Sequence, residues 1–307
     1  MSTGRGRGIG AIVPIAMDLG ITRLINHRGV AVPTMLYGTA WKEAETERLA
    51  REALEAGFLG IDTANQRKHY DEAEVGRAVR TLPGDAPRPF LQTKFTYPRG
   101  QDHRLPYDPQ ASPGVQVRQS FDSSCEHLGV DVIDSYLLHG PEAGQGLTAG
   151  DWQVWRAMER LHDEGGVRLI GISNARADQV RELVAGARVA PAFVQNRFYF
   201  RENKYGPALD AEVRSLCHTH DIVYQGFSIL TANRAVWAQT ALHPIARRIG
   251  GTPAQVLFRY AMHLGILPLT GTSNAVHMRA DLAYTSFTLT AEEQATIAAL
   301  SHTGGGA

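Results

Sequence analysis

The chain has 307 residues, with 31 Lys plus Arg against 31 Asp plus Glu, so it carries no net charge while histidine is neutral. That balance offers no global field to attract nucleic acid or anionic lipid, and it points to a small, specific partner. Two cysteines, Cys125 and Cys217, supply neither a disulfide framework nor a Cys/His metal set, and no apolar run approaches the roughly 18 residues of a membrane span; the expectation is a metal-free protein of a reducing cytoplasm.

Residues 1–20, "MSTGRGRGIGAIVPIAMDLG", read as an N-terminal extension. Arg5 and Arg7 before Ile9 to Met17 imitate a signal peptide, but the apolar run is short and holds Pro14. Gly6, Gly8 and Ala11 satisfy the GxGxxG/A spacing, yet nothing before them can be a strand, so a Rossmann reading fails on context. A single domain is expected over 21–307. It starts with Thr22 to Pro33, whose period-two character about a polar turn at Asn26 to Gly29 predicts a hairpin placed to plug a barrel floor.

Eight short apolar runs follow: Thr34–Gly38, Phe58–Asp62, Phe90–Lys94, Val132–His139, Arg168–Ser173, Ala192–Asn196, Ile222–Ser228 and Ile266–Gly271. Helix-period segments alternate with them, among them Glu45–Glu55, Gln116–Leu128, Trp152–Glu164, Asp178–Ala185, Pro207–His218 and Pro253–His263. Eight buried strands alternating with helices predict a (β/α)₈ TIM barrel of the α/β class. An open doubly wound sheet would carry a glycine turn for phosphate after its first strand, where "YGTAWKE" offers only Gly38.

In such a barrel the C-terminal strand ends converge on one face. Asp62 ends the second run, Lys94 the third and His139 the fourth, and Tyr70 lies in the loop after the second. Singly these are a helix cap, a snorkelling lysine, a core histidine and a boundary tyrosine. Four at one rim form a candidate catalytic cluster.

The segments "GIDTA…Y…EVG", "FLQTKF", "LGVDVIDSYLLHGP", "GVRLIGISN", "FVQN" and "GTPAQVLFRYAMHLGILPLTGTSN" resemble, in order and over about 22–282, the signatures of the aldo-keto reductase superfamily. The resemblance implies a tetrad at Asp62, Tyr70, Lys94 and His139. A carbonyl that accepts hydride needs a proton on its oxygen, and a phenol with an ordinary pKa of about 10 donates more readily beside an ammonium. Lys94 supplies that charge, Asp62 holds Lys94, and His139 orients the carbonyl. One departure stands out: the family usually has its tyrosine where this chain has Arg67, and the first tyrosine is Tyr70, as if the loop carried an insertion.

The same resemblance implies a nicotinamide cofactor, NADPH by family habit and NADH as the alternative. It carries over Gly38, Thr39, Ser173, Asn174 and Gln195, with Phe227 against the ring, and Ser228, Leu230 and Asn233 over the pyrophosphate. Where the family grips a 2′-phosphate with Lys-Ser and a later Arg, this chain has Gly271, Thr272 and His277, followed by Arg279 and Asp281. Helix N-terminal amides with Thr272 and Ser273 are an alternative grip. Trp41, Phe95, Tyr97 and Trp152 are expected to line a flat, apolar pocket for a small-molecule carbonyl or alcohol, in a monomer or weak homo-oligomer. Two other classes stay open: a Schiff-base lyase using Lys94, and a cofactor-binding regulatory subunit.

Overall fold

A computed structural model describes residues 23–202 and 207–301. The N-terminal extension and the terminal "TGGGA" lie outside the described residues. The hairpin consists of β1 (Leu24–His27) and β2 (Val30–Pro33), joined by Arg28 and Gly29, both with positive φ (49° and 81°). Such a two-residue turn matches the twist of the strands it joins. His27 Nε2 meets Ala192 O at 3.1 Å and Arg28 donates to Ala190 O and Pro191 O, so the hairpin covers the N-terminal end of the barrel.

Eight parallel strands close the barrel: β3 (Leu36–Gly38), β4 (Gly60–Asp62), β5 (Phe90–Phe95), β6 (Ile133–Leu138), β7 (Val167–Ser173), β8 (Phe193–Arg197), β9 (Val223–Phe227) and β10 (Ile266–Thr270), with β10 paired to β3. The helices are α1 (Thr46–Ala56), α2 (Glu72–Arg80), α3 (Pro113–Leu128), α4 (Ala149–Asp163), α5 (Ala177–Gly186), α6 (Ala211–Thr219), α7 (Arg234–Trp237), α8 (Leu242–Arg248), α9 (Pro253–His263), α10 (Ala275–Asp281) and α11 (Ala291–Ala299). None of them is long and apolar enough to cross a membrane. Among the described residues no cluster of His, Cys, Asp or Glu could hold a metal.

Local chemistry sets several boundaries. Thr148 with Asp151, Thr252 with Gln255, and Thr290 with Glu293 form reciprocal caps at the starts of α4, α9 and α11. Gly57 (φ 106°) and Gly129 (φ 70°) end α1 and α3 in the left-handed conformation that a side chain resists. At Gly76 an added Cβ would overlap the carbonyl oxygen of His127, so α2 and α3 approach as closely as they do because that position has no side chain. Leu209 and Asp210, with φ of 59° and 45°, break the expected Pro207–His218 helix and delay α6 to Ala211.

Strand alternation then sorts the side chains. In β5, Gln92 and Lys94 point into the barrel, whereas Thr93 donates outward to Glu72 Oε1 on α2 at 2.5 Å and Phe95 packs outward against Tyr97 and Tyr107. The inward row leads to the C-terminal mouth.

Candidate active site

Parallel register sets Asp62 opposite Gln92 and Lys94 opposite Leu137, which brings the strand-end polar groups to one level. Lys94 Nζ donates to Asp62 Oδ1 at 2.7 Å and to Thr63 O at 2.8 Å. At 1% exposure Lys94 does not snorkel. Burial pulls its ammonium below the ordinary lysine pKa, and the Asp62 charge and hydrogen bond oppose that pull. Asp62 is free for this task because Asp71 caps α2, accepting from Glu74 N at 3.0 Å.

Asp62 Oδ1 also accepts from Gln92 Nε2 (2.7 Å) and Gln195 Nε2 (3.0 Å). Gln92 and Gln225 exchange reciprocal amide bonds, Gln195 donates to Gln225 at 2.9 Å, and Ser135 donates to Gln92. These glutamines fill the barrel below the carboxylate, so a buried charge is met by donors on several sides. Period-two alternation in "FLQTK" and "VYQGF" already puts Gln92 and Gln225 on the inward rows.

The loop after β4 sends Arg67 and Tyr70 to opposite sides. Backbone bonds from His69 and Tyr70 to Gln66 O fold it back, Gln66 Nε2 ties it to Gly100 O, and the Arg67 guanidinium turns outward to His127 Nε2 at 2.9 Å. Tyr70 turns inward: its ring centroid lies 5.5 Å from Lys94 Nζ and 5.9 Å from the His139 ring. Burial first, then the Asp62 charge, raise the phenol pKa above its ordinary value, so Tyr70 carries its proton at neutral pH.

His139 follows β6, and its Nδ1 meets Thr96 Oγ1 at 2.7 Å. Burial, then the positive charges of Lys94 and His69, lower the imidazole to about 3, so it is neutral across ordinary pH. An unfolded chain protonates this histidine below its ordinary pKa of about 6.5, whereas the folded chain does so only near 3, so stability is expected to fall as pH drops through that window. Between pH 6.5 and 5 the loss should be about 2 kcal/mol greater than in His139→Gln. Urea unfolding at the two pH values checks this, and equal losses would contradict it.

On the other side of the mouth, Ser173 donates to Gln195 O at 2.7 Å, and Asn174 (φ 53°) donates to His139 O and to Ser173 Oγ. Asn196 braces that turn by bonding both the N–H and C=O of Ala175. Both amide hydrogens of Gln195 are committed to Asp62 and Gln225. Its Oε1 and the Asn174 Oδ1 therefore remain as acceptors without protein partners among the described residues, a pair that suits a carboxamide N–H₂. Phe227 is half-buried, with the Arg197 guanidinium carbon 5.6 Å above its ring. Beside Asn174 and Arg197 opens a cavity of about 1180 Å³ over the ends of β7 and β8, which does not reach the Asp62–Lys94 pair.

The rest of the expected cofactor set divides. Gly38 and Gly271 abut, since a Cβ on Gly271 would come 3.0 Å from Gly38 O. Ser228 (φ 59°) and Leu230 form an open turn after β9. Thr39, in contrast, spends its hydroxyl on Asp62 O, and Asn233 spends its side chain on Phe200 N, Phe198 O and Ile229 O. These two brace the backbone. Asp281 is buried against Thr270 Oγ1 at 2.7 Å, and burial pushes its carboxyl up to about 6.

The α10 N-terminus is not an open anion site, because Asn274 Oδ1 already accepts from Val276 N and His277 N, and Thr272 Oγ1 accepts from Asn274 N. His277 and Arg279 are exposed on α10. A cation overlooked in the sequence lies nearby: the Lys42 ammonium, on the loop after β3, bonds Gly271 O, and burial lowers its pKa. Its only sequence signal was its place four residues past Gly38.

Of the four expected pocket aromatics, Trp41 alone stands open at the mouth, 67% exposed and tilted against the His69 ring at 3.5 Å between centroids. Phe95 is fully buried toward the helices, and Tyr97 commits its hydroxyl to Asp151 at 2.9 Å. Trp152 packs against Gly186 and under Arg156 in the outer helical layer. Those three serve packing.

The sequence pattern of the Aldo/keto reductase family matches residues 32–302. An aldo-keto reductase of Mycolicibacterium vanbaalenii is 30% identical over 83% of each chain. The 9,11-endoperoxide prostaglandin H2 reductase of Trypanosoma cruzi is 27% identical over 87% of each. Among solved structures, an aldo/keto reductase from Brucella melitensis superposes with a TM-score of 0.75 at 25% identity, covering 90% of this chain and 97% of that one. An aldo-keto reductase of Bombyx mori in complex with NADP gives 0.73 at 22% identity, covering 90% and 92%.

Proposed function

The chain belongs to the aldo/keto reductase family, whose members are NAD(P)H-dependent carbonyl oxidoreductases, and from that premise we propose that it reduces an aldehyde or ketone to the alcohol, or runs the reverse, with Tyr70 as general acid/base. The observation that carries this reading is the convergence of the Tyr70 ring on Lys94 Nζ and the His139 ring beside the buried Asp62–Lys94 pair. A bound nicotinamide dinucleotide supplies the hydride equivalent. Tyr70 gives its proton to the carbonyl oxygen as negative charge grows there, and the Lys94 ammonium steadies the phenolate left behind. Neutral His139 holds that oxygen by a hydrogen bond, and Asp62 keeps Lys94 charged and in place.

For the cofactor we assign Asn174 and Gln195 to the carboxamide, Phe227 to the ring face, and Gly38, Ser228, Leu230 and Gly271 to the close backbone approach of the phosphates. The Bombyx mori relative's complex with NADP supports NADPH as the physiological choice. With Lys42 as the fixed cation near Gly271 and exposed His277 and Arg279 on α10, the preference for NADPH over NADH should be about one to two powers of ten, roughly 1.4–2.8 kcal/mol. Lys42→Met is expected to narrow it about tenfold, because charge-assisted bonds are about twice as strong as neutral ones. Fluorescence titration with both cofactors decides this. Equal weakening of both would move the ammonium from the 2′-phosphate to the pyrophosphate they share.

The lyase reading fares worse, since a Schiff-base nucleophile must be reachable and unprotonated, and Lys94 is 1% exposed and held by Asp62 and Thr63 O. Cofactor oxidation with a panel of aldehydes and ketones tests the proposal, and an intact fold that binds cofactor but turns over no carbonyl would favour the regulatory reading.

A further inference from the structure

We propose that Thr96 is a positioning residue for the reaction: its hydroxyl donates to His139 Nδ1 and so fixes the ring proton on Nε2, the nitrogen left to meet the carbonyl oxygen. This rests on the reading of His139 as the group that orients the substrate. Thr96 follows β5 and extends the inward row of Gln92 and Lys94, one step beyond Lys94. It is 5% exposed, and its Oγ1 lies 2.7 Å from His139 Nδ1.

Either atom can donate across that contact in principle, but the surroundings choose. The Thr96 hydroxyl has no other hydrogen-bond partner among the described residues, so if Nδ1 carried the proton the hydroxyl hydrogen would be buried without an acceptor. With Thr96 as donor the hydroxyl is satisfied, and a neutral imidazole must then carry its proton on Nε2. The ring is neutral because burial and the charges of Lys94 and His69 oppose a second proton, and Tyr70, across the ring at 5.9 Å, is itself an uncharged phenol.

The threonine is held in turn. Its carbonyl accepts from Tyr107 Oη at 2.6 Å and from Gln101 Nε2, which fixes the backbone. Its methyl fills the space where a Cβ on Gly100 would sit, 2.7 Å away, which fixes the rotamer. The hydroxyl is thereby aimed at Nδ1. Asn174 Nδ2 donates to His139 O at 2.7 Å, so the histidine is anchored from the cofactor side as well. Nε2 has no protein partner among the described residues, as a group reserved for a ligand requires.

The test is ¹⁵N NMR of the histidine rings of the full chain, with and without NADPH, with His139 assigned by comparison with His139→Gln. The expected result is an unprotonated Nδ1 and a protonated Nε2 from about pH 5 to 8. A protonated Nδ1 overturns the proposal, and this readout stands whether or not any carbonyl is turned over. Steady-state kinetics of Thr96→Val should show kcat/KM reduced about ten- to a hundredfold, the rate equivalent of one buried acceptor left without its donor, with the NADPH Kd unchanged. Thr96→Ser should restore most of the loss. Wild-type kcat/KM in Thr96→Val would equally overturn it, and if that variant does not fold, the spectrum of the unmodified chain still decides.

Discussion

Replacing Tyr70 by phenylalanine is expected to lower turnover by roughly 10²–10⁴-fold, the usual contribution of a positioned general acid, while the Kd for NADPH changes little. The ring stays, so its packing against His139 at 5.9 Å and under Lys94 at 5.5 Å is kept, and only the hydroxyl is lost. That hydroxyl makes no hydrogen bond to the protein among the described residues, so its removal leaves no buried partner unsatisfied and should cost little stability. Cofactor titration beside steady-state rates separates the two effects. Near-normal turnover would hand the proton to another donor, with His69, in the same loop as Tyr70 and against Trp41, next in line.

The second large effect is expected at Lys94. Among the described residues, Lys94→Met removes the one cation bonded to Asp62 and leaves a buried carboxylate held by Gln92 and Gln195. Breaking one side of a buried pair typically costs about 3–5 kcal/mol, and the two amide donors should keep the loss toward the lower end. Turnover should fall at least as far as loss of one preorganised stabilising group, roughly 10²–10³-fold. The double variant Asp62→Asn/Lys94→Met should regain stability in urea, since no unpaired charge remains, without regaining turnover. Recovery of both would make the pair structural. Borohydride treatment of the wild type with a ketone should trap no adduct at Lys94; a trapped adduct would support the lyase chemistry instead.

The barrel was readable because its strands are buried on both faces, so each appears as a short apolar run, and because Asp62, Lys94 and His139 end such runs. The hairpin was readable from the polar stretch Asn26 to Gly29, of which the structure keeps Arg28 and Gly29 as the turn and puts Asn26 and His27 in β1. Between β9 and β10 no single period marks α7 and α8, and α11 left no separate signature either. Contacts between distant segments were the main blind spot. Lys42 reaches Gly271 only because β10 closes against β3, and Thr96 meets His139 only because β5 and β6 pair in register.

Tyr70 could be named as the nearest phenol, but the detour that turns Arg67 toward α3 depends on Gln66 and His127, which belong to different segments. With Lys94 inward, alternation alone sends Phe95 outward to Tyr97 and Tyr107, away from the pocket expected for it. Trp152 sits in the first turn of α4, and its indole lies between α4 and α5 rather than at the barrel mouth.

Hydride transfer to a carbonyl with Tyr70 as acid can be followed by tracing deuterium from the transferable position of deuterated NADPH during turnover of an aldehyde or ketone. Deuterium is expected on the carbinol carbon of the product in the wild type and to be nearly absent in Tyr70→Phe at equal cofactor occupancy. Oxidation of the cofactor with no label in the alcohol, or labelled alcohol formed as fast without the Tyr70 hydroxyl, would contradict it.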